Sequence, residues 1–113
     1  FPDGLATGDA GWTTAGDLPA QWVIHVVGPN FTAGQTDRSL LTSCYARALA
    51  VADELGARSV AFPLVSAGIY GWPKDDAIAA AVETLWATRT EVEEARMVAF
   101  DEATYDAILR RLT

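Results

Sequence analysis

A length of 113 residues, half of them apolar, fits one globular domain and leaves no apolar run long enough to span a bilayer. The formal charge of −7, with Lys74 as the single lysine beside seven arginines, repels phosphate backbones and argues against a nucleic-acid partner. A small phosphate ligand remains possible, because backbone N–H groups at a loop or helix start hold an anion without any cationic side chain.

Phe1-Pro2-Asp3-Gly4 has neither the basic stretch nor the apolar stretch of a signal peptide. Cys44 stands alone, so no internal disulfide is expected and a cytoplasmic setting is the simpler one. Residues 1–21 are rich in Gly, Thr, Asp and Pro and predict loop, with a short edge strand near Ala10 to Thr14. Trp22-Val23-Ile24-His25-Val26-Val27 is rich in β-branched residues between Leu18-Pro19 and Gly28-Pro29. That pattern predicts a strand buried on both faces, as in a parallel sheet. It also makes His25 a core histidine rather than a general base. Asn30 to Thr36 is a polar loop.

The period then changes. Leu41, Cys44, Tyr45, Ala48, Ala52 and Leu55 recur every three or four residues and predict one face of a helix, capped by Asp37 and closed by Gly56. Ser59-Val60-Ala61-Phe62-Pro63-Leu64-Val65 predicts a second buried strand, interrupted or flanked at Pro63. A second helix is expected over 75–87, with Ile78, Val82, Leu85 and Trp86 inward and Asp75 and Asp76 in its first turn. First-turn charge compensation explains that acidic pair better than a metal does, since no further ligand lies nearby. Glu91, Glu93 and Glu94 predict a solvated surface. Arg96-Met97-Val98-Ala99-Phe100 predicts a third strand, and Asp101 caps a last helix carrying Tyr105, Ile108, Leu109 and Leu112. Alternating strands and helices read as an α/β fold with a mainly parallel or mixed sheet flanked by helices.

Ligands of an open parallel sheet bind outside the carboxyl ends of its strands. Two such ends stand out. One runs into Ser66-Ala67-Gly68-Ile69-Tyr70-Gly71-Trp72-Pro73, the other into Phe100-Asp101-Glu102. Ser66, Ala67 and Gly68 are small enough for the backbone to approach a ligand. Gly68 and Gly71 can take positive φ angles and turn successive N–H groups inward. Pro73 suits a helix start. The segment is neither a Walker loop nor a Gly-x-Gly-x-x-Gly turn, and an ordinary strand-to-helix turn would explain two glycines alone.

Ala61-Phe62-Pro63-Leu64-Val65-Ser66-Ala67-Gly68-Ile69-Tyr70-Gly71-Trp72-Pro73 closely resembles the diphosphate loop of macrodomains of the MacroD type. Thr7-Gly8-Asp9-Ala10 resembles the family's Thr-Gly-x-Ala. Leu18 to Pro29 resembles its second half-strand and turn, and Phe100-Asp101-Glu102 its final strand end. The resemblance covers nearly the whole chain in order. It implies the macrodomain three-layer fold and, as ligand, ADP-ribose or an ADP-ribosylated protein. The loop matching Ser66, Ala67, Gly68, Ile69, Tyr70 and Gly71 would wrap the diphosphate and the proximal ribose through backbone amides. The aromatic at Tyr70 would close over the ligand, and the one at Phe100 would pack at the adenine end. No cofactor or metal is implied. Relatives release ADP-ribose from modified proteins or deacetylate O-acetyl-ADP-ribose, and a non-catalytic reader is the alternative.

The resemblance also has a gap. Such domains open with a strand ending in Gly-Asp-Ile/Val, then Asn-Ala-Ala-Asn, then a Gly-Gly-Gly-Val-Asp-Gly-Ala turn; none of these occurs in the 113 residues. Residues 1–113 are therefore expected to be the C-terminal two-thirds of a macrodomain, incomplete at the N-terminus, with the catalytic residues unknown.

Overall fold

The computed structural model describes residues 4–112, so the reading of Phe1-Pro2-Asp3 lies outside the described residues. Seven elements follow in order: β1 (Ala10–Thr14), β2 (Trp22–Val26), α1 (Arg38–Leu55), β3 (Ser59–Phe62), α2 (Lys74–Ala87), β4 (Glu94–Met97) and α3 (Glu102–Leu112). This is an α/β fold, with the strands in two pairs. β1 and β2 are antiparallel, Ala10 opposite Val26 and Thr14 opposite Trp22. β3 and β4 are parallel, Ser59 opposite Glu94 and Phe62 opposite Met97.

Local chemistry sets the helix ends. The Asp37 carboxylate accepts from the Ser39 N–H at 3.0 Å and from the Ser39 hydroxyl at 2.7 Å, capping α1. At the other end Gly56 adopts φ 72° and donates back into the last turn. The apolar stripe of α1 is inward as its periodicity requires, and Leu41, Cys44, Tyr45, Ala48 and Ala52 are buried. The run Ala77-Ile78-Ala79-Ala80-Ala81 is the buried part of α2. Its small side chains let α1 and α2 lie close, and Leu41, Tyr45, Leu49, Phe62 and Trp72 complete the core around them.

Several expectations are corrected. β2 is not buried on both faces. Its partner is the antiparallel β1, His25 is exposed, and the His25 ring Nε2 meets the Thr13 hydroxyl at 2.9 Å. β-branched content indicates a pleated surface, not two covered faces. β3 stops at Phe62, because Pro63 has no N–H for the ladder. The last strand begins two residues earlier than its apolar run and ends at Met97, so Phe100 stands beyond it. On α2, Trp86 is 86 % exposed, and the alanines carry the packing in its place. On α3, Ile108 is buried while Tyr105, Leu109 and Leu112 are exposed. Asp101 caps α3 as expected, accepting from the Thr104 N–H at 2.7 Å.

Candidate functional site

The parallel pairing of β3 and β4 brings the two strand ends singled out in the sequence side by side. The Val98 N–H continues the ladder to the Phe62 carbonyl at 2.8 Å. From there the chains diverge into residues 63–73 and 98–101. Lys74 Nζ and Asp101 Oδ1, 3.9 Å apart, tie the far side of the first segment to the second.

The root of the 63–73 loop hangs on Tyr45. Its hydroxyl donates to the Pro63 carbonyl at 3.4 Å and accepts from the Val65 N–H at 3.0 Å. Burial pushes the Tyr45 phenol up to about 12, so it stays protonated and can make both bonds. Periodicity assigned Tyr45 only to the core face of α1. Its second role had no signal in the sequence, because a core tyrosine and a tyrosine that bonds a distant loop share the same spacing. Neighbouring Cys44 is inert: it is buried, its Sγ–H points at the Val27 carbonyl at 3.4 Å, and burial pushes its thiol up to about 11.

Within the loop, main-chain bonds fix the shape. The Gly71 N–H donates to the Gly68 carbonyl at 3.0 Å, and the Trp72 N–H to the Ser66 carbonyl at 2.9 Å. The left-handed positions are Ser66 (φ 66°) and Gly71 (φ 74°), not Gly68. A serine in that region is uncommon and marks a backbone held by its surroundings. Gly68 serves differently: a Cβ placed there would meet nothing within 4 Å, so its face opens to solvent. The successive N–H groups of Ser66, Ala67, Gly68, Ile69 and Tyr70 donate to no acceptor among the described residues. Ile69 is 96 % exposed and Tyr70 40 % exposed above them.

Beyond the loop, Trp72 turns inward and is 4 % exposed, with the Phe31 ring edge-on at 5.2 Å. Its indole N–H donates to Asp76 at 2.9 Å, and the Arg38 Nε–H bonds the same carboxylate at 3.0 and 3.2 Å. The Trp72 bond first, and Arg38 with it, holds the Asp76 carboxyl below its ordinary range. Asp76 is thus in the first turn as expected and also pins the loop's exit. α2 starts at Lys74, so its N-terminal end sits directly behind the loop. Phe100 is 75 % exposed on the neighbouring segment, a free aromatic face rather than a core residue.

Comparison with known proteins identifies the family of the fold. The profile of the Macro domain family matches residues 2–81. A macro domain-containing protein of Streptomyces coelicolor is 56 % identical over 109 residues, covering 96 % of this chain and 64 % of that protein. A Klebsiella pneumoniae protein named O-acetyl-ADP-ribose deacetylase is 44 % identical over 109 residues, covering 93 % and 62 %. The chain thus spans less than two thirds of the length of these relatives. Among solved structures, the Oceanobacillus iheyensis macrodomain with ADP superimposes with a TM-score of 0.89 at 33 % identity, over 96 % of this chain and 58 % of that one. The Trypanosoma brucei macrodomain in complex with ADP-ribose gives 0.85 at 29 % identity, over 97 % and 47 %.

Proposed function

This chain belongs to the Macro domain family, and on that premise we propose that it binds ADP-ribose on the rim formed by residues 66–71 and Phe100. The observation that carries the reading is the run of uncommitted amides from Ser66 to Tyr70 at the carboxyl end of a parallel strand, backed by the start of α2. Such a run suits a diphosphate, since aligned N–H dipoles hold an anion even on a protein of net charge −7. Ser66, Ala67 and Gly68 let the phosphates come close. Tyr70 covers the ribose next to the reacting bond, and Phe100 offers its face to the adenine.

We further propose that the whole protein is a hydrolase that releases ADP-ribose from modified proteins or deacetylates O-acetyl-ADP-ribose, the second of these being the activity in the name of its Klebsiella relative. Hydrolysis needs a water activated within hydrogen-bond reach of the scissile bond. The described residues around the loop are suited to holding rather than to that step. Asp101 is committed to its cap and lies near Lys74. His25 sits on β2, bonded to Thr13. We propose that the activating group lies outside these 113 residues.

Calorimetry against ADP-ribose, ADP and AMP tests the binding. ADP-ribose should bind in the micromolar range, about −8 kcal/mol, with AMP far weaker. Equal affinity for AMP and ADP-ribose would overturn the diphosphate loop. A release assay on mono-ADP-ribosylated protein tests the chemistry, comparing the 113-residue chain with the full-length protein. Turnover by the short chain at the full-length rate would refute the placement of the activating group. Binding without turnover in both would make the protein a reader.

A further inference from the structure

We infer that Thr32 is a positioning residue for Tyr70, through which the turn after β2 sets how the ligand loop meets the ribose beyond the diphosphate. The inference rests on the ADP-ribose reading above and adds a residue outside the loop to it.

The turn over residues 28–35 grips the loop at both ends. At the near end Gly28 lies so close that a Cβ there would overlap the Ser66 hydroxyl and the Val65 side chain. At the far end Thr32 makes two bonds to one acceptor: its N–H reaches the Tyr70 carbonyl at 3.0 Å and its hydroxyl reaches the same oxygen at 3.3 Å. Gly71, next in line, lacks the Cβ that would overlap the Thr32 hydroxyl. Phe31 adds its edge-on contact with Trp72. Residues 67–69, between the two grips, keep their amides uncommitted.

The gripping turn is itself braced. The Asn30 side chain accepts from the Ala33 N–H at 3.2 Å, the Gln35 side chain accepts from the Asn30 N–H at 2.7 Å, and the Gly34 N–H donates to the Phe31 carbonyl at 3.0 Å. A braced donor pair on the Tyr70 carbonyl, with the Gly71 N–H tied to Gly68, fixes the peptide plane between residues 70 and 71 from both sides. The direction in which the Tyr70 side chain leaves the backbone follows from that plane. The exposed ring then moves only about its own torsions, from a fixed base. Thr32 touches neither the amides nor the adenine side, so its hydroxyl bears on whatever part of the ligand lies under the Tyr70 ring.

The test uses Thr32→Val, which keeps the shape and the backbone N–H and removes the hydroxyl, and Thr32→Ser, which restores the hydroxyl. ADP carries the same diphosphate without the terminal ribose and serves as the control ligand. Thr32→Val should weaken ADP-ribose about five-fold, the usual effect of one hydrogen bond, and leave ADP affinity and melting temperature unchanged. Thr32→Ser should bind ADP-ribose as the parent does. Unchanged ADP-ribose binding by Thr32→Val overturns the inference. Equal weakening of ADP and ADP-ribose, or a fall in melting temperature that Thr32→Ser does not reverse, also overturns it by showing a merely structural contact. A parent protein that binds no ADP-ribose defeats the functional reading itself, an outcome distinct from both.

Discussion

The two segments that leave the β3–β4 pair start from neighbouring positions and end as opposite kinds of surface. Residues 63–73 are tied down by Tyr45 at the root, by two internal main-chain bonds, and by Thr32 and Asp76 near the exit. What they present outward is backbone N–H. Residues 98–100 have one ladder bond at Val98 and then present carbon, with Val98 and Phe100 both exposed before the Asp101 cap. A row of donors has to be shaped before an anion arrives, and the many braces supply that shape. An apolar platform needs only to be uncovered. A ligand with a charged middle and an aromatic end matches the pair.

The sharpest way to break this contrast is to spoil the donor row without touching its braces. Gly68→Glu adds bulk where a side chain meets only solvent and brings a carboxylate beside the bound diphosphate. ADP-ribose affinity should fall by about 3 kcal/mol, roughly 100-fold, with the melting temperature kept. A folded variant of parental affinity would remove the loop from the site. Tyr45→Phe tests the brace instead. It leaves the Val65 N–H and the Pro63 carbonyl without their partner, and unfolding titrations should register a loss of about 2 kcal/mol. Stability equal to the parent would mean the loop does not depend on that anchor.

On the apolar side, Phe100→Ala should weaken ADP-ribose by about 1 kcal/mol through lost stacking and barely change stability, since the ring is already in water. A cost of about 3–5 kcal/mol in stability would instead make it a core residue. The smallest effect concerns acid. Hydrogen bonding from Trp72, and Arg38 with it, lowers the Asp76 carboxyl below its ordinary 3.8. Its contribution is therefore fully present above about pH 4 and fades as pH falls through the lowered folded-state value. Asp76→Asn keeps an acceptor for Trp72 but loses the charge pair, costing about 0.5 kcal/mol at pH 7. Thermal melts at pH 7 and pH 3 should show that cost shrinking in acid. A gap between variant and parent that does not change with pH would refute it.

Much of this was legible in the residues, for reasons that differ by element. Asp37 and Gly56 mark the ends of α1 because capping is chemistry between near neighbours. The loop was legible for the same reason: small residues and a proline before a helix are local facts. What failed were several readings of what lies across from an element. His25 was assigned to a core because its neighbours are β-branched, yet the face it occupies is open. Trp86 fell on the inward side of α2 by spacing, while alanines do the packing. Of the two loop glycines read as left-handed, Gly71 is and Gly68 is not, and Ser66, close against Gly28 of the turn after β2, takes that conformation as well. Tyr45 and Thr32 act on a loop about 20 and 38 residues away, a separation at which spacing carries no information.

The uncommitted amides from Ser66 to Tyr70 have one more consequence, for how this surface tolerates change. A side chain that recognises a ligand is lost with one substitution. A main-chain N–H is carried by nineteen of the twenty amino acids and is removed only by proline. Ile69, 96 % exposed, is therefore free to differ in size and polarity while the donor it carries persists. Recognition at such a rim is written in the path of the chain, and whatever alters that path, from however far away, edits the specificity.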